Sequence, residues 1–300
     1  MEAPFSHTGE LAALATAVCW AISALAFQTA GRRVGSLPVN LIRLVMAVFL
    51  LGAFTWATRG ALLPMDASPH VWVWLSLSGL AGFTIGDLCL FRAFVLVGAR
   101  VSMLMMTLVP LFTTVFGFLV MHELLTPKQI IGMALTIAGV SSVVLERRQD
   151  ANGRAERLPL IGVLLALCGA IGQSLGLVLA KFGMGSYDAF ASTQIRVLAG
   201  IIGFSVVFTV TGRWPRVRAA LRDRQAMTGT GIGAFFGPFI GVSLSLIAVQ
   251  YTEAGVAATL MALTPVLIIP VSVIFYREHV AWPAAVGAVV AVCGSALLFL

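Results

Sequence analysis

The sequence predicts an all-α polytopic membrane protein, with ten transmembrane helices arranged as two inverted five-helix repeats. Three observations lead there. Hydrophobic residues make up 59% of the 300 positions and charged residues 10%, against about 25% charged in a soluble domain, and the mean hydropathy is +1.00. The chain divides into apolar runs of roughly the 20-residue length that spans a bilayer. The stretch from Met103 to Gly139 also returns from Ala258 to Gly294. A shift of 155 residues lays Pro110 on Pro265, Glu123 on Glu278, Gly132 on Gly287 and Gly139 on Gly294. Self-similarity in one register marks two copies of a unit.

Taken in order, the first ten residues hold two acids and no Lys or Arg. A secretory signal needs a basic start, so the first apolar run reads as a retained helix. The runs cover 11–30, 38–58, 71–91, 99–121 and 128–146 in a first unit, 1–146. They cover 159–181, 188–211, 227–250, 255–276 and 283–300 in a second, 159–300, with a linker loop at 147–158. The runs are continuous rather than alternating, which excludes a membrane β-barrel. Ser78, Gly82 and Gly86 fall on Gly233, Gly237 and Gly241 under the same shift. Small residues four apart give a flat helix face, for close packing or for sliding. Five helices is an odd number, so the second copy must enter the membrane from the opposite side. Secondary transporters use this arrangement, with a substrate site near the midplane between the repeats.

Fourteen of the Lys and Arg residues lie in the odd-numbered loops and three (Arg59, Lys128 and Lys181) on the other side, with Arg43 and Arg196 inside helices. That bias places the odd loops in the cytoplasm and both termini outside, in a bacterial inner (plasma) membrane. The net charge of +7 is thereby spent on orientation and does not argue for nucleic acid. The Arg-rich loop 212–226 is expected to meet anionic lipid. Cys19, Cys89, Cys168 and Cys293 each fall in an apolar run and read as small core residues. No cofactor and no metal cluster is predicted.

Several residues are out of place in hydrocarbon. Pro110 and Pro265 stand mid-run, where a proline removes one helical hydrogen bond and clashes with the carbonyl four residues earlier. Those carbonyls belong to Met106 and Met261. The choice is between kinks that line a cavity and structural kinks with Met as filler, with Thr107 and Thr264 near enough to supply hydroxyls. Pro238 and Pro270 are further breaks without repeat partners. Arg43 and Asp87 lie at matching depth, so they form an ion pair, unless Arg43 snorkels or Asp87 pairs with Arg92. Asp87 is the most interior acid and hence the candidate for proton coupling. Its repeat counterpart is Val242. Arg196, the counterpart of Arg43, therefore has no obvious acid beyond Glu253, and would meet either a substrate carboxylate or backbone carbonyls. Glu123 and Glu278 follow their helices and read as structural, bonding amides of the next helix or a loop Arg. Thr126-Pro127-Lys128-Gln129 reads as a capping box that starts the fifth helix.

The helix-centre Pro, the Glu past the helix and the following Gly-x6-Gly helix, in two copies, together with GDLCLFRAFVLVGARVSML from Gly86 to Leu104, resemble the EamA-type transporters of the drug/metabolite transporter superfamily. The resemblance covers nearly the whole chain. It implies transport of small metabolites, often amino acids or similar solutes. It also implies that the first helix of each repeat lines the cavity, which makes Trp20, Ser23 and Gln173 candidate pocket residues beside plain interhelical hydrogen bonding. Members are commonly drawn with both termini cytoplasmic, the reverse of the charge count here. A lipid-carrier flippase of the same fold is an alternative. An intramembrane enzyme is a lesser one, since His7, His70, His122 and His279 sit at membrane edges or in the tail and Asp87 stands alone at depth. The partners expected are a small solute, membrane lipid and protons, with a monomer sufficient.

Overall fold

The computed structural model describes residues 7–145, 159–264, 266–267 and 282–299, and among these the chain is helical, with no strand. The first half runs α1 (Thr8–Val34), α2 (Ser36–Arg59), α3 (Pro69–Gly79), a π-helical segment Leu80–Gly86, α4 (Asp87–Met106), α5 (Val109–Met121) and α6 (Pro127–Leu145). The second runs α7 (Leu160–Met184), α8 (Ala189–Val210), a short α9 (Trp214–Ala220), α10 (Arg224–Ala234), a second π segment Phe235–Gly241, α11 (Val242–Tyr251), α12 (Ala254–Met261) and α13 (Trp282–Ala296). Among the described residues six helical segments are long and apolar enough to cross a membrane: Thr8–Val34, Ser36–Arg59, Pro69–Ala93, Leu160–Met184, Ala189–Val210 and Arg224–Tyr251. Pro265, Pro270, Glu278 and the linker 147–158 lie outside the described residues.

Local chemistry explains where these helices start. Ser68 accepts the Val71 N–H ahead of Pro69, Asp188 accepts the Ala191 N–H, and Asp223 accepts the Ala226 N–H. Each satisfies one of the amides that a helix start leaves without an intrahelical partner. The Ala226 amide, with Arg33 beside it, also holds the Asp223 carboxyl below its usual range. Thr126 and Gln129 form the reciprocal box, Gln129 N–H to Thr126 Oγ1 at 3.3 Å and Thr126 N–H to Gln129 Oε1 at 2.8 Å. α2 ends on Gly60 at φ 71°, a left-handed position that glycine adopts without strain.

The two π segments are in repeat register, since the 155-residue shift carries Leu80 onto Phe235 and Gly86 onto Gly241. Pro238 lies inside the second one. Two expectations are corrected. The loop between the runs 71–91 and 99–121 does not exist: helix continues through Arg92–Gly98 to Met106. This stretch has no Pro and no Ser, Thr, Asp or Asn to cap a new start. The equivalent place in the second half carries Thr252 and Glu253 in extended backbone and does break. Pro110 is not a mid-helix kink either. The helix ends at Met106, turns at Thr107–Leu108, and restarts with Pro110 in the first turn of α5, where the missing N–H would be unpaired anyway. The second half turns at the matching Ala262–Leu263.

Packing interleaves the halves. α1 lies against α10, the second π segment, α11 and α12. α7 lies against α3, the first π segment, α4 and α5. Each half thus lends its first helix to the other. α6 and α13 cross antiparallel, with Gly132 against the carbonyl of Gly294 and Gly139 against that of Gly287. The repeat shift exchanges these two contacts. Thr136 Oγ1 approaches the Ala291 carbonyl at 3.5 Å between them. One apolar core joins α1, α3, α7, α8, α11 and α12, and a second joins α2, α8 and both π segments. Cys168 and Cys293 are exposed rather than core residues, because they lie on outward helix faces.

A Cβ on Gly139 would sit 2.8 Å from the Ala291 Cα. Neither backbone can yield cheaply, so Gly139→Val is expected to destabilise the detergent-purified protein by about 1–3 kcal/mol in thermal unfolding. Gly231→Ala, which meets nothing within 4 Å, should leave the midpoint unchanged.

Candidate functional site

The first π segment is where α7 comes closest. A Cβ on Gly176 would lie 3.0 Å from the Gly82 Cα, and one on Gly172 would lie 2.9 Å from the Gly86 Cα. Ser78 Oγ donates to the Gly176 carbonyl at the same crossing. This backbone-to-backbone approach needs small residues on both helices. It brings Gln173 over the π segment, where Nε2 donates to Asp87 Oδ1 at 2.9 Å and to the Gly82 carbonyl at 3.2 Å.

Asp87 is 5% exposed, and its Oδ2 pairs with Arg43 Nη2 from α2. The alternatives of a snorkelling Arg43 and an Asp87–Arg92 pair are therefore not the arrangement observed. The Arg43 guanidinium also lies over the Phe27 ring of α1, 5.0 Å from its centroid. Beyond Gln173 the row continues to Arg196. Its Nη2 and Gln173 Oε1 border the same space, 3.7 and 3.8 Å from the place a Gly82 Cβ would take. Arg196 Cζ stands 5.2 Å from the Phe83 ring centroid. Glu253 is not its partner, since that carboxylate accepts from Gln129 and Thr252.

In the second half, α1 presents Trp20, Ser23 and Phe27 to the matching glycines. A Cβ on Gly241 would meet Trp20 Cδ1 at 2.8 Å, and one on Gly237 would meet Ser23 Oγ at 2.6 Å. Ser23 Oγ donates to the Gly233 carbonyl. Val242 leaves this copy uncharged. The structure thus brings Arg43, Asp87, Gln173 and Arg196 together, with Trp20 and Ser23 at the equivalent crossing.

The helix breaks lie beside α1, α6 and α7. Ser174 of α7 donates to the Val109 carbonyl at 3.1 Å. Thr107 contacts Ser141 of α6 at 3.3 Å. Thr264 donates to the Met261 carbonyl at 2.8 Å, with Ala17 of α1 3.4 Å away. Met261 and Pro110 are buried and Met106 half-buried.

At one end of the bundle Glu123 pairs with Lys181 of α7 and accepts the Ala254 N–H at the start of α12, at 2.9 Å. Lys181 also donates to the Thr252 carbonyl at 2.6 Å. This corrects the expectation of an amide from the next helix or a loop Arg: Glu123 joins the two halves instead. At the other end Arg33 pairs with Asp223.

The sequence reading missed Lys181 as the partner of Glu123, although both follow apolar runs on the same side. It also missed Asn40, which lies one turn before Arg43 on α2, is 1% exposed, and has neither amide atom hydrogen-bonded among the described residues. A lone Asn in an apolar run was the available signal. A shallow hollow lined by Ile201, Ile202, Val206 and Val210 lies along α8 alone and includes none of the polar row.

Residues 7–145 and 160–300 each match the model of the EamA-like transporter family. A curated relative from Clostridium kluyveri, named only as an uncharacterized transporter, is 24% identical over 264 residues, covering 84% of this chain and 81% of its own length. A solved crystal structure, described only as that of a protein, aligns with a TM-score of 0.74 at 20% identity over 96% of this chain and 94% of its own. At that identity the likeness concerns the fold alone.

Removing either member of the Arg43–Asp87 pair leaves a buried charge uncompensated. Arg43→Ala and Asp87→Ala are each expected to lose about 3–5 kcal/mol in thermal unfolding. The exchange Arg43→Asp with Asp87→Arg should recover part of this, because it restores the ion pair between α2 and α4 while the Gln173 bond to position 87 is lost. A double exchange no more stable than the charge-reversed single variants would show that the pair does not hold α2 to α4.

Proposed function

The chain belongs to the EamA-like transporter family and is a multi-pass membrane transporter, and we propose that it is a secondary carrier of small, amino-acid-like or related solutes working by alternating access between two inverted five-helix units. The observation that carries this reading is the polar row Arg43–Asp87–Gln173–Arg196 at the crossing of α2, the first π segment, α7 and α8, with Asp87 and Arg196 buried and Arg43 and Gln173 half-buried. Ionisable groups inside a membrane protein are costly, and they mark solute or ion pathways. Interrupted helices beside it support the same reading, because unwound backbone at membrane depth is tolerated where it lines a cavity or is buried in protein. The antiparallel α6–α13 crossing, with contacts exchanged by the repeat shift, supports the inverted arrangement.

In this reading Asp87 is the coupling carboxylate, and the solute sits between the halves near Arg196, Met106, Thr107, Met261 and Thr264. One chain supplies both halves, so a monomer suffices. The plasma membrane is the site of action, with both termini outside. The odd-loop end, with the Arg33–Asp223 pair and the Arg-rich α9 loop, faces anionic lipid in the cytoplasm. The end with Glu123 and Lys181 faces out.

Solute flux in proteoliposomes, screened across amino acids and other small metabolites with and without a pH gradient, tests the mechanism. Flux is expected to follow the gradient, and Asp87→Asn to lose that dependence. Gradient-independent flux that survives Asp87→Asn would leave a facilitator with a structural Asp87. A single cysteine at the exposed Ala219 should react with an impermeant thiol reagent only in permeabilised cells. Labelling of intact cells would reverse the orientation.

A further inference from the structure

Arg196 is 5% exposed, and its Nε and Nη1 have no hydrogen-bond partner among the described residues. Backbone carbonyls, one of the two roles open to it from sequence, therefore do not satisfy these atoms. Both edges of the guanidinium keep an unmet N–H. The acid on the row is already engaged, Oδ2 by Arg43 and Oδ1 by Gln173. The half-buried Arg43 thus matches the one carboxylate of the row, and the buried guanidinium of Arg196 is left over. A buried charge without a counter-charge is strongly disfavoured, and the deficit here is a single negative charge. The Phe83 ring beside Arg196 belongs to an apolar cluster with Leu44, Val197 and Phe204.

We infer that Arg196 anchors the carboxylate of the transported solute, and that the solutes are small organic monocarboxylates carrying one net negative charge. This rests on the transport reading above and keeps, of its substrate class, the related carboxylates in place of zwitterionic amino acids. A carboxylate matches the planar N–H fork of arginine and supplies one charge. A phosphate monoester brings about −1.5 to −2 at neutral pH and overshoots. A zwitterionic amino acid brings its own ammonium and leaves the row with its excess. The Phe83 side takes the apolar part of the solute.

The test uses the full chain in detergent, with acetate, lactate and benzoate, each against its primary amide, and with alanine and inorganic phosphate. Expected is a saturable rise in melting temperature with at least one carboxylate and none with its amide, alanine or phosphate. Arg196→Gln should weaken that binding about 10- to 100-fold, and should melt no lower than wild type without ligand, since it removes the unmatched charge. Arg196→Lys keeps the charge but not the fork, and should bind with intermediate strength, which serves if the Gln variant does not fold. Stabilisation by none of the three carboxylates, equal stabilisation by the amides, or binding untouched in both variants overturns the assignment. Proteoliposome flux separates the two readings. Flux of neutral or cationic solutes that Arg196→Gln leaves intact keeps the carrier and removes the anion class. Carboxylate binding that depends on Arg196 without flux of any solute keeps the site and removes the carrier.

Discussion

The contact on which the rest depends is the backbone approach of α7 to the first π segment, Gly172 and Gly176 against Gly86 and Gly82. In hydrocarbon there is no hydrophobic gain in pressing one apolar helix on another, so association comes from close packing and hydrogen bonds. Glycine on both sides supplies the first and Ser78, donating to the Gly176 carbonyl, the second. Everything polar follows from that distance. Only when α7 lies this close does one Gln173 amide reach both the Gly82 carbonyl and Asp87. With Asp87 held, Arg43 has a partner and α2 is drawn in. The π segment contributes its own part, since its wider turn re-aims the backbone just before Asp87.

The two copies share this scaffold but not its charges. Gly237 and Gly241 receive α1 as Gly82 and Gly86 receive α7, yet Val242 stands for Asp87 and Trp20 and Ser23 occupy the crossing. Duplication supplied two equivalent crossings, and one of them carries the ionisable groups. The two crossings thus match in backbone and differ in charge. Arg196 belongs to the second copy by sequence but sits against Gly79 and Gly82 of the first, so the polar row draws on both halves.

Much of this could be read in the chain itself. The repeat register came from Pro, Glu and Gly positions that apolar drift does not reproduce by chance, and the family model matches the chain over two ranges. Arg43 and Asp87 were paired by depth, which a helix rise converts directly from residue number. What escaped the reading depends on relations between distant helices. Gln173 was assigned by its place on a first helix, but its contact with Asp87 requires knowing which face of α7 meets the π segment. The continuity of α4 through Arg92–Gly98 escaped because an Arg-bearing stretch resembles a loop, whereas the stretch holds no Pro to break a helix and no Ser, Thr, Asp or Asn to start a new one. The restart at Pro110 escaped because a proline inside a long apolar run looks the same whether the helix bends or begins anew.

The interleaving also governs how the molecule comes into being. α1 is complete at Val34, while its neighbours α10 to α12 begin only at Arg224. During synthesis the first helix therefore enters the membrane long before the surfaces that will cover it exist, and its glycine-fitting face must wait among lipids. Neither half is a self-sufficient unit, because each would lack the helix that closes its polar crossing. A bisected gene should thus work only when both fragments are made together, and an ancestor with a single copy would have had to assemble as a pair with exchanged arms.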